Sequence, residues 1–505
     1  MIVHRAALAA TALVLVATGL TGAQERPRRA GPNAEQTAPA GPGLLSLLPA
    51  DAVSDRTLET GGQKLAYTAT AGTLNLYDQN GERTAAIFYT AYVLKGRPAE
   101  SRPVTFVFNG GPGAASAYLH LGLVGPKMLD FGPDGHDGGN ARLRDNPDSW
   151  LKFTDLVMID PIGTGWSRTA KADDAKNFYG VREDAQALAK TIALYLARSG
   201  RMQSPKYLLG ESYGGLRSVK VARALQQDQG VIVSGIVMVS PLIEGALQFG
   251  SDRFALGAAL QLPSVVAAEL ERRHAFTEEA LAAAERFAMS DYLVTLAGPP
   301  LQGEAARKFY DRVAELTGLP LDIVTRSRGF IRDAYVKHLR RDQKVVSPYD
   351  ATFAAPDAYP ESDHSGDDPI LDGVTRAYGS AFVGYARDEL GFKTEMTYTL
   401  LARDISGRWD WHSDGHGRTP ATADGDLREL LALNPSFRVL VAHGYSDLVI
   451  PYYVNRYVID HLPPLGGADR VQLKLYKGGH MMYMIPASRI ALTADAKAFY
   501  GAPTQ

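Results

Sequence analysis

Three features of this sequence predict an α/β fold, with a mostly parallel central sheet and helices on both faces. Apolar, strand-like runs alternate with amphipathic helical segments from about residue 104 to residue 239. Several of these runs pass directly into glycine-rich turns, where sheets of this class hold their functional groups. The alternation stops near residue 244 and resumes near residue 435, so a mainly helical region is expected to be inserted into the sheet domain.

In chain order, residues 1–23 read as a signal peptide. His4 and Arg5 make a short basic start, residues 6–20 are apolar, and Thr21-Gly-Ala23 is a small-residue cleavage site. The apolar run is short for a membrane span of about 20 residues. Residues 24–43, rich in Pro, Gly, Arg and Ala, read as a flexible linker. Residues 64–71 and 73–77 are expected to be two short strands, Asn80-Gly81 a hairpin turn, and residues 85–94 a strong strand.

Residues 104–108 form the next expected strand and lead into Asn109-Gly-Gly-Pro-Gly113. The lysine of a phosphate-binding Walker loop is missing, so backbone N–H groups aimed into a crevice are expected instead. Residues 155–160 are a further strand, followed by the glycine turn 161–167; Trp150 before it is read as packing. Residues 177–198 carry helical periodicity, with Val181, Ala185, Leu188, Ile192 and Leu196 on one face. Tyr207-Leu-Leu-Gly-Glu-Ser212-Tyr-Gly-Gly215 then reads as strand, sharp turn and helix with a serine at the tip. Residues 231–239 are the next buried strand.

Within 244–434, helices are expected over 264–289, 303–316, 321–339 and 373–390. Arg340-Arg341 is read as a solvated helix end. The tract from Trp409 to His416 holds two His and two Asp, but its Gly and Ser content favours a polar loop over a metal site. Strands are expected again over 437–442 and 471–476, and a closing helix over 486–500. The catalytic domain is thus expected to comprise residues 44–243 and 435–505.

Ser212, Asp447 and His480 then follow the carboxyl ends of three expected strands, in the order Ser…Asp…His found in α/β-hydrolases. In such a triad Ser212 attacks a carbonyl carbon, His480 moves the proton, and Asp447 orients the imidazole. The N–H of Tyr213, next to the nucleophile, is aimed at the oxyanion. His443 leaves the same strand as Asp447 and is badly placed to reach Ser212; Asp460 lies in the following helical segment. The triad alone does not choose among amide, ester and acceptor.

Composition narrows the classes further. The 505 residues are 45% hydrophobic, enough for a large core, and the net charge of −2 offers no field for nucleic acid or an acidic membrane. Cysteine is absent, which excludes disulfides, a thiol nucleophile and thiolate metal ligation.

Taken together, Asn109-Gly-Gly-Pro-Gly113, Asp160-x-x-Gly163-x-Gly165-x-Ser167, Gly210-Glu-Ser-Tyr-Gly-Gly215, the Gly-x-x-Asp447 turn and Gly479-His480-Met481 resemble the serine carboxypeptidase family over about residues 60–500. The region from Arg341 to Asp350, and residues 381–390, also look like its exported bacterial branch. The resemblance implies an oxyanion hole from the N–H groups of Gly111 and Tyr213, and recognition of a substrate's free C-terminal carboxylate by Asn109, Gly110 and Glu211. It implies peptide substrates with a free C-terminus, no metal or organic cofactor, no nucleic-acid partner and no membrane partner after signal cleavage. The signal peptide implies a periplasmic or extracellular destination. Glu211 can hydrogen-bond a carboxylate only when protonated, so an acidic optimum is expected. Two departures stand out. Gly113-Ala-Ala-Ser116 replaces the family's Gly-Cys-Ser-Ser. Leu123, two residues before Gly125-Pro126, replaces a glutamate that partners the carboxylate site in many members. An esterase or acyltransferase on the same triad, or a catalytically silent binding protein on this scaffold, are the alternative readings.

Overall fold

Ten strands make the main sheet among the described residues: β1 (Ala52–Thr60), β2 (Gln63–Tyr77), β3 (Arg83–Leu94), β4 (Val104–Phe108), β5 (Asp155–Ile159), β6 (Arg168–Thr169), β7 (Lys206–Glu211), β8 (Gly235–Val239), β9 (Arg438–Gly444) and β10 (Val471–Tyr476). Their order is β1-β2-β3-β5-β4-β7-β8-β9-β10, with the two-residue β6 paired to β3. The first three strands are antiparallel meanders, and the path from β5 to β10 is parallel throughout. The computed structural model describes residues 43–132, 135–339, 342–411, 421–465 and 467–501. The signal peptide, the linker up to residue 42, Arg340, Arg341 and residues 412–416 therefore lie outside the described residues.

Strand pleating sorts the side chains into two cores. Phe106, Leu208, Ile236, Met238, Val439 and Val441 face one core, which also holds the apolar faces of α1 (Val181–Arg198) and α2 (Tyr213–Asp228). Val107, Leu209, Val237, Val239, Leu440 and Ala442 face the other, with Leu492, Ala496 and Phe499 of α3 (Pro486–Gly501). Trp150 is fully buried in this second core, and its Nε1 donates to Thr493 Oγ1 at 3.1 Å. Fold and strand type match the sequence expectation.

Local boundaries differ in instructive ways. The expected pair of strands at 64–71 and 73–77 is one fifteen-residue strand, because Gly72 keeps its ladder partner Tyr89 and does not break the run. β1 was not expected; its alternating burial is weak, and it is held by pairing with β2. The expected strand 231–239 starts only at Gly235. The expected helix 264–289 is two helices, Ala255–Arg272 and Glu278–Phe287, with Thr277 capping the second through its side chain. The expected helix 321–339 breaks between Leu321–Arg326 and Arg332–His338, where Arg328 and Gly329 take positive φ.

Between β8 and β9 the chain packs in three ways. Leu262, Val265, Val313, Val324 and Tyr335 share a core of their own. Tyr378, Phe382, Tyr385 and Phe392 join the second sheet core, and Trp409, Trp411 and Leu427 join the first. No helix among the described residues is long and apolar enough to cross a membrane.

Candidate active site

β4 continues to β5 on one side, and β7 returns to its other side. This reversal opens a crevice at the carboxyl ends of β4 and β7. The loop Asn109–Gly113 leaves β4 there, and Ser212 leaves β7 there.

Ser212 joins β7 to α2 with φ 62° and ψ −127°, a left-handed backbone that non-glycine residues rarely adopt. Its N–H donates to Val239 O (2.9 Å), and its carbonyl accepts from the N–H groups of Gly215 (2.9 Å) and Leu242 (3.0 Å). Gly210 allows α2 to fold back this closely: a Cβ there would stand 1.9 Å from Gly214 O. Gly110 plays the matching part in the neighbouring loop, where a Cβ would lie 2.6 Å from the Tyr213 nitrogen. The glycine loop thus lies against the first N–H of α2, where the helix dipole favours negative charge.

His480 lies beyond β10 and Asp447 beyond β9, and both are buried. His480 Nδ1 is 2.7 Å from Asp447 Oδ2, while Asp447 Oδ1 accepts from the N–H groups of Val449 (2.8 Å) and Ile450 (2.9 Å). The His480 backbone is clamped by Tyr349 O (2.6 Å) and Ser240 Oγ (2.8 Å). Burial, the largest single influence, pulls the imidazole pKa down, but the Asp447 carboxylate together with Glu211 and Asp368 holds His480 above its ordinary value. With Nδ1 committed to Asp447, Nε2 is the nitrogen left for proton transfer. His443 is also buried, 4.0 Å from Asp447 Oδ2, and burial pushes it down to about 4, so it is neutral. Asp460 is exposed at the end of the helix Tyr452–Asp460.

A second polar cluster adjoins the first. Asn109 Nδ2 donates to Glu211 Oε2 at 2.7 Å, and Asn109 Oδ1 accepts from Leu119 N–H at 3.1 Å. The Tyr483 hydroxyl donates to the same Glu211 oxygen at 2.9 Å. Burial pushes the Glu211 carboxyl up to about 7, against the opposing pull of His480 and the two donors. Leu123, the position expected above to differ from many family members, is fully buried.

Asn109, Gly110, Gly111, Glu211, Ser212 and His480 line one cavity of about 300 Å³, together with Tyr118, Tyr349, Leu371, Arg403 and Met481. Three supporting residues escaped the sequence reading. Arg217 and Asp184 form a buried ion pair, and Arg217 Nη1 donates to Asn109 O. Tyr483 is the third. Arg217 carries a sequence signal, since it sets a charge beside Leu216, Val219 and Val221 on the helix after the turn; Tyr483 carries none beyond its closeness to His480.

Residues 62–249 match the family model described as serine carboxypeptidase. Among similar proteins, serine carboxypeptidase-like 44 of Arabidopsis thaliana is 29% identical over 166 residues, 32% of each chain. The pheromone-processing carboxypeptidase KEX1 of Coprinopsis cinerea is 32% identical over 133 residues, 26% of this chain and 20% of that one. The chain thus matches about a third or less of these relatives' length. The crystal structure of Kex1(delta)p, a prohormone-processing carboxypeptidase from Saccharomyces cerevisiae, aligns over 91% of this chain and 95% of its own, at 15% identity and a TM-score of 0.50. That likeness shows the α/β-hydrolase fold.

Proposed function

We propose that this protein is an exported serine carboxypeptidase that releases C-terminal residues from peptides through an acyl-enzyme on Ser212. The observation that carries this reading is that Asn109 and Glu211, hydrogen-bonded to each other and backed by Tyr483, line the same cavity as Ser212 and His480. A triad without that cluster would suit any acyl transfer; a buried carboxyl one residue from the nucleophile, neutral below about pH 7, suits a substrate that ends in a carboxylate.

His480 Nε2 takes the Ser212 proton as Oγ attacks the scissile carbonyl. The Gly111 and Tyr213 N–H groups receive the oxyanion, and His480 then protonates the leaving amine. Asp447 stabilises the imidazolium. Asn109, Gly110 and neutral Glu211 donate to the terminal carboxylate and fix which bond meets Ser212. No metal or organic cofactor enters this scheme. Residues 44–243 and 435–505 form the catalytic domain around an inserted region, 244–434. Residues 1–23 direct export, to a periplasm or beyond, as in the family's exported bacterial branch.

The test is hydrolysis of one N-blocked dipeptide against its C-terminal amide, with Ser212→Ala as control. Preference for the free acid, abolished in the control, is the expected result. Equal turnover of the amide or of a simple ester would move the reading to an esterase or acyltransferase.

A further inference from the structure

We propose that Tyr483 is a positioning residue for Glu211, holding Oε2 so that Oε1 is the oxygen offered to a substrate's terminal carboxylate. The inference rests on the carboxypeptidase reading and deepens it. Asn109 Nδ2 and the Tyr483 hydroxyl both donate to Oε2, at 2.7 and 2.9 Å. A carboxyl with two donors on one oxygen carries its proton on the other, since a protonated oxygen facing two donors loses one of those bonds. Glu211 lines the cavity, so the proton on Oε1 is the one a ligand meets.

The surroundings hold the Tyr483 ring in place. Its ring is fully buried, and a Cβ at Gly122 would stand 2.5 Å from it, so the turn His120–Val124 is shaped to admit the ring. The adjacent Leu123 is fully buried and apolar. A second carboxyl beside Glu211 would share its proton and hold Glu211 neutral to higher pH. A phenol instead donates to the ionised carboxylate, and so allows Glu211 to ionise sooner. Tyr483 therefore sets both the orientation of the recognising carboxyl and the pH at which recognition fails.

Tyr483→Phe tests this in the full chain, with an N-blocked dipeptide, its amide and its methyl ester as probes. At acidic pH the ratio of free-acid to ester kcat/KM is expected to fall about fivefold, mainly through KM, from loss of one buried hydrogen bond. The alkaline fall in free-acid turnover is expected to move up by about one pH unit, since a donor to the charged form is gone. An unmoved or lowered alkaline limb, or equal losses for acid and ester, overturns the inference. A wild-type protein that prefers no free acid rejects the carboxypeptidase reading, and this inference with it. If Tyr483→Phe does not fold, as judged by fluorophosphonate labelling of Ser212, Glu211→Gln decides: the alkaline limb of free-acid KM is expected to vanish, and a limb that persists overturns the inference.

Discussion

Arg217 Nε lies 2.7 Å from Asp184 Oδ2 in an ion pair with both side chains buried, directly behind the nucleophile turn. The same guanidinium donates through Nη1 to Asn109 O and lies 4.9 Å from the Tyr213 ring centroid. One cation thus ties α1, α2 and the glycine loop together. Removing it strands a buried carboxylate and a buried carbonyl. Arg217→Met is expected to lower stability by about 3 kcal/mol, as for broken buried pairs. Urea unfolding checks this, and loss of ester turnover in the still-folded fraction checks that the loop has moved.

Our second prediction concerns the triad. Asp447 Oδ2 holds His480 at 2.7 Å, and its other oxygen is taken by two backbone N–H groups. Asp447→Asn keeps the shape but offers a donor where His480 needs an acceptor, and so favours the wrong tautomer. Turnover of any substrate is expected to fall by about 10⁴-fold, with little change in thermal midpoint. Ser212→Ala is expected to abolish both turnover and fluorophosphonate labelling. Labelling retained in Ser212→Ala would reject Ser212 as the nucleophile.

The positions of the candidate residues were legible in the sequence because each follows a strand whose apolar run is unmistakable. Ser212, Asp447 and His480 stand just past β7, β9 and β10, and Asn109 just past β4. The parallel order of those strands follows from the alternation with helices. What the sequence hid depends on long-range packing. Tyr483 meets Glu211 across 272 positions and Arg217 meets Asn109 across 108. No local period encodes such pairs. β1 was hidden for a related reason: its partner β2, not its own pattern, makes it a strand. Breaks in the expected long helices at residues 273–277 and 327–331 contain no proline, and the signals they do carry, the polar run Glu271-Arg-Arg-His274 and the Ser327-Arg-Gly329 turn, also suit exposed helix faces.

The pH dependence follows from two groups of opposite sign. On the proposed reading neutral His480 is the base, and its pKa stands above the ordinary histidine value, so turnover of every substrate is expected to fall on the acid side. On the proposed reading neutral Glu211 is the donor to a terminal carboxylate, and burial pushes its carboxyl up to about 7. Free-acid turnover is therefore expected to fall as pH rises through about 7, while ester turnover continues to rise to a plateau. Profiles of kcat/KM for the two substrates check this. Parallel profiles for acid and ester would remove Glu211 from recognition.

Asp160 gives the last prediction, and it concerns stability. Its Oδ1 accepts from Ser116 N–H at 2.8 Å, and a Cβ at Gly165 would stand 1.7 Å from Oδ2, so the turn closes tightly over the carboxyl. Burial pushes Asp160 up to about 7, whereas in an unfolded chain it titrates near 4. Between those values the folded state binds more protons than the unfolded one, so stability falls as pH rises through this window and is level above it. Asp160→Asn removes the titrating group and leaves the acceptor for Ser116. The loss of stability between pH 5 and pH 8, read from urea midpoints, is expected to shrink by about 2 kcal/mol in the variant. An unchanged difference would show that the carboxyl titrates alike in both states, and that the closed turn over Asp160 does not hold it neutral.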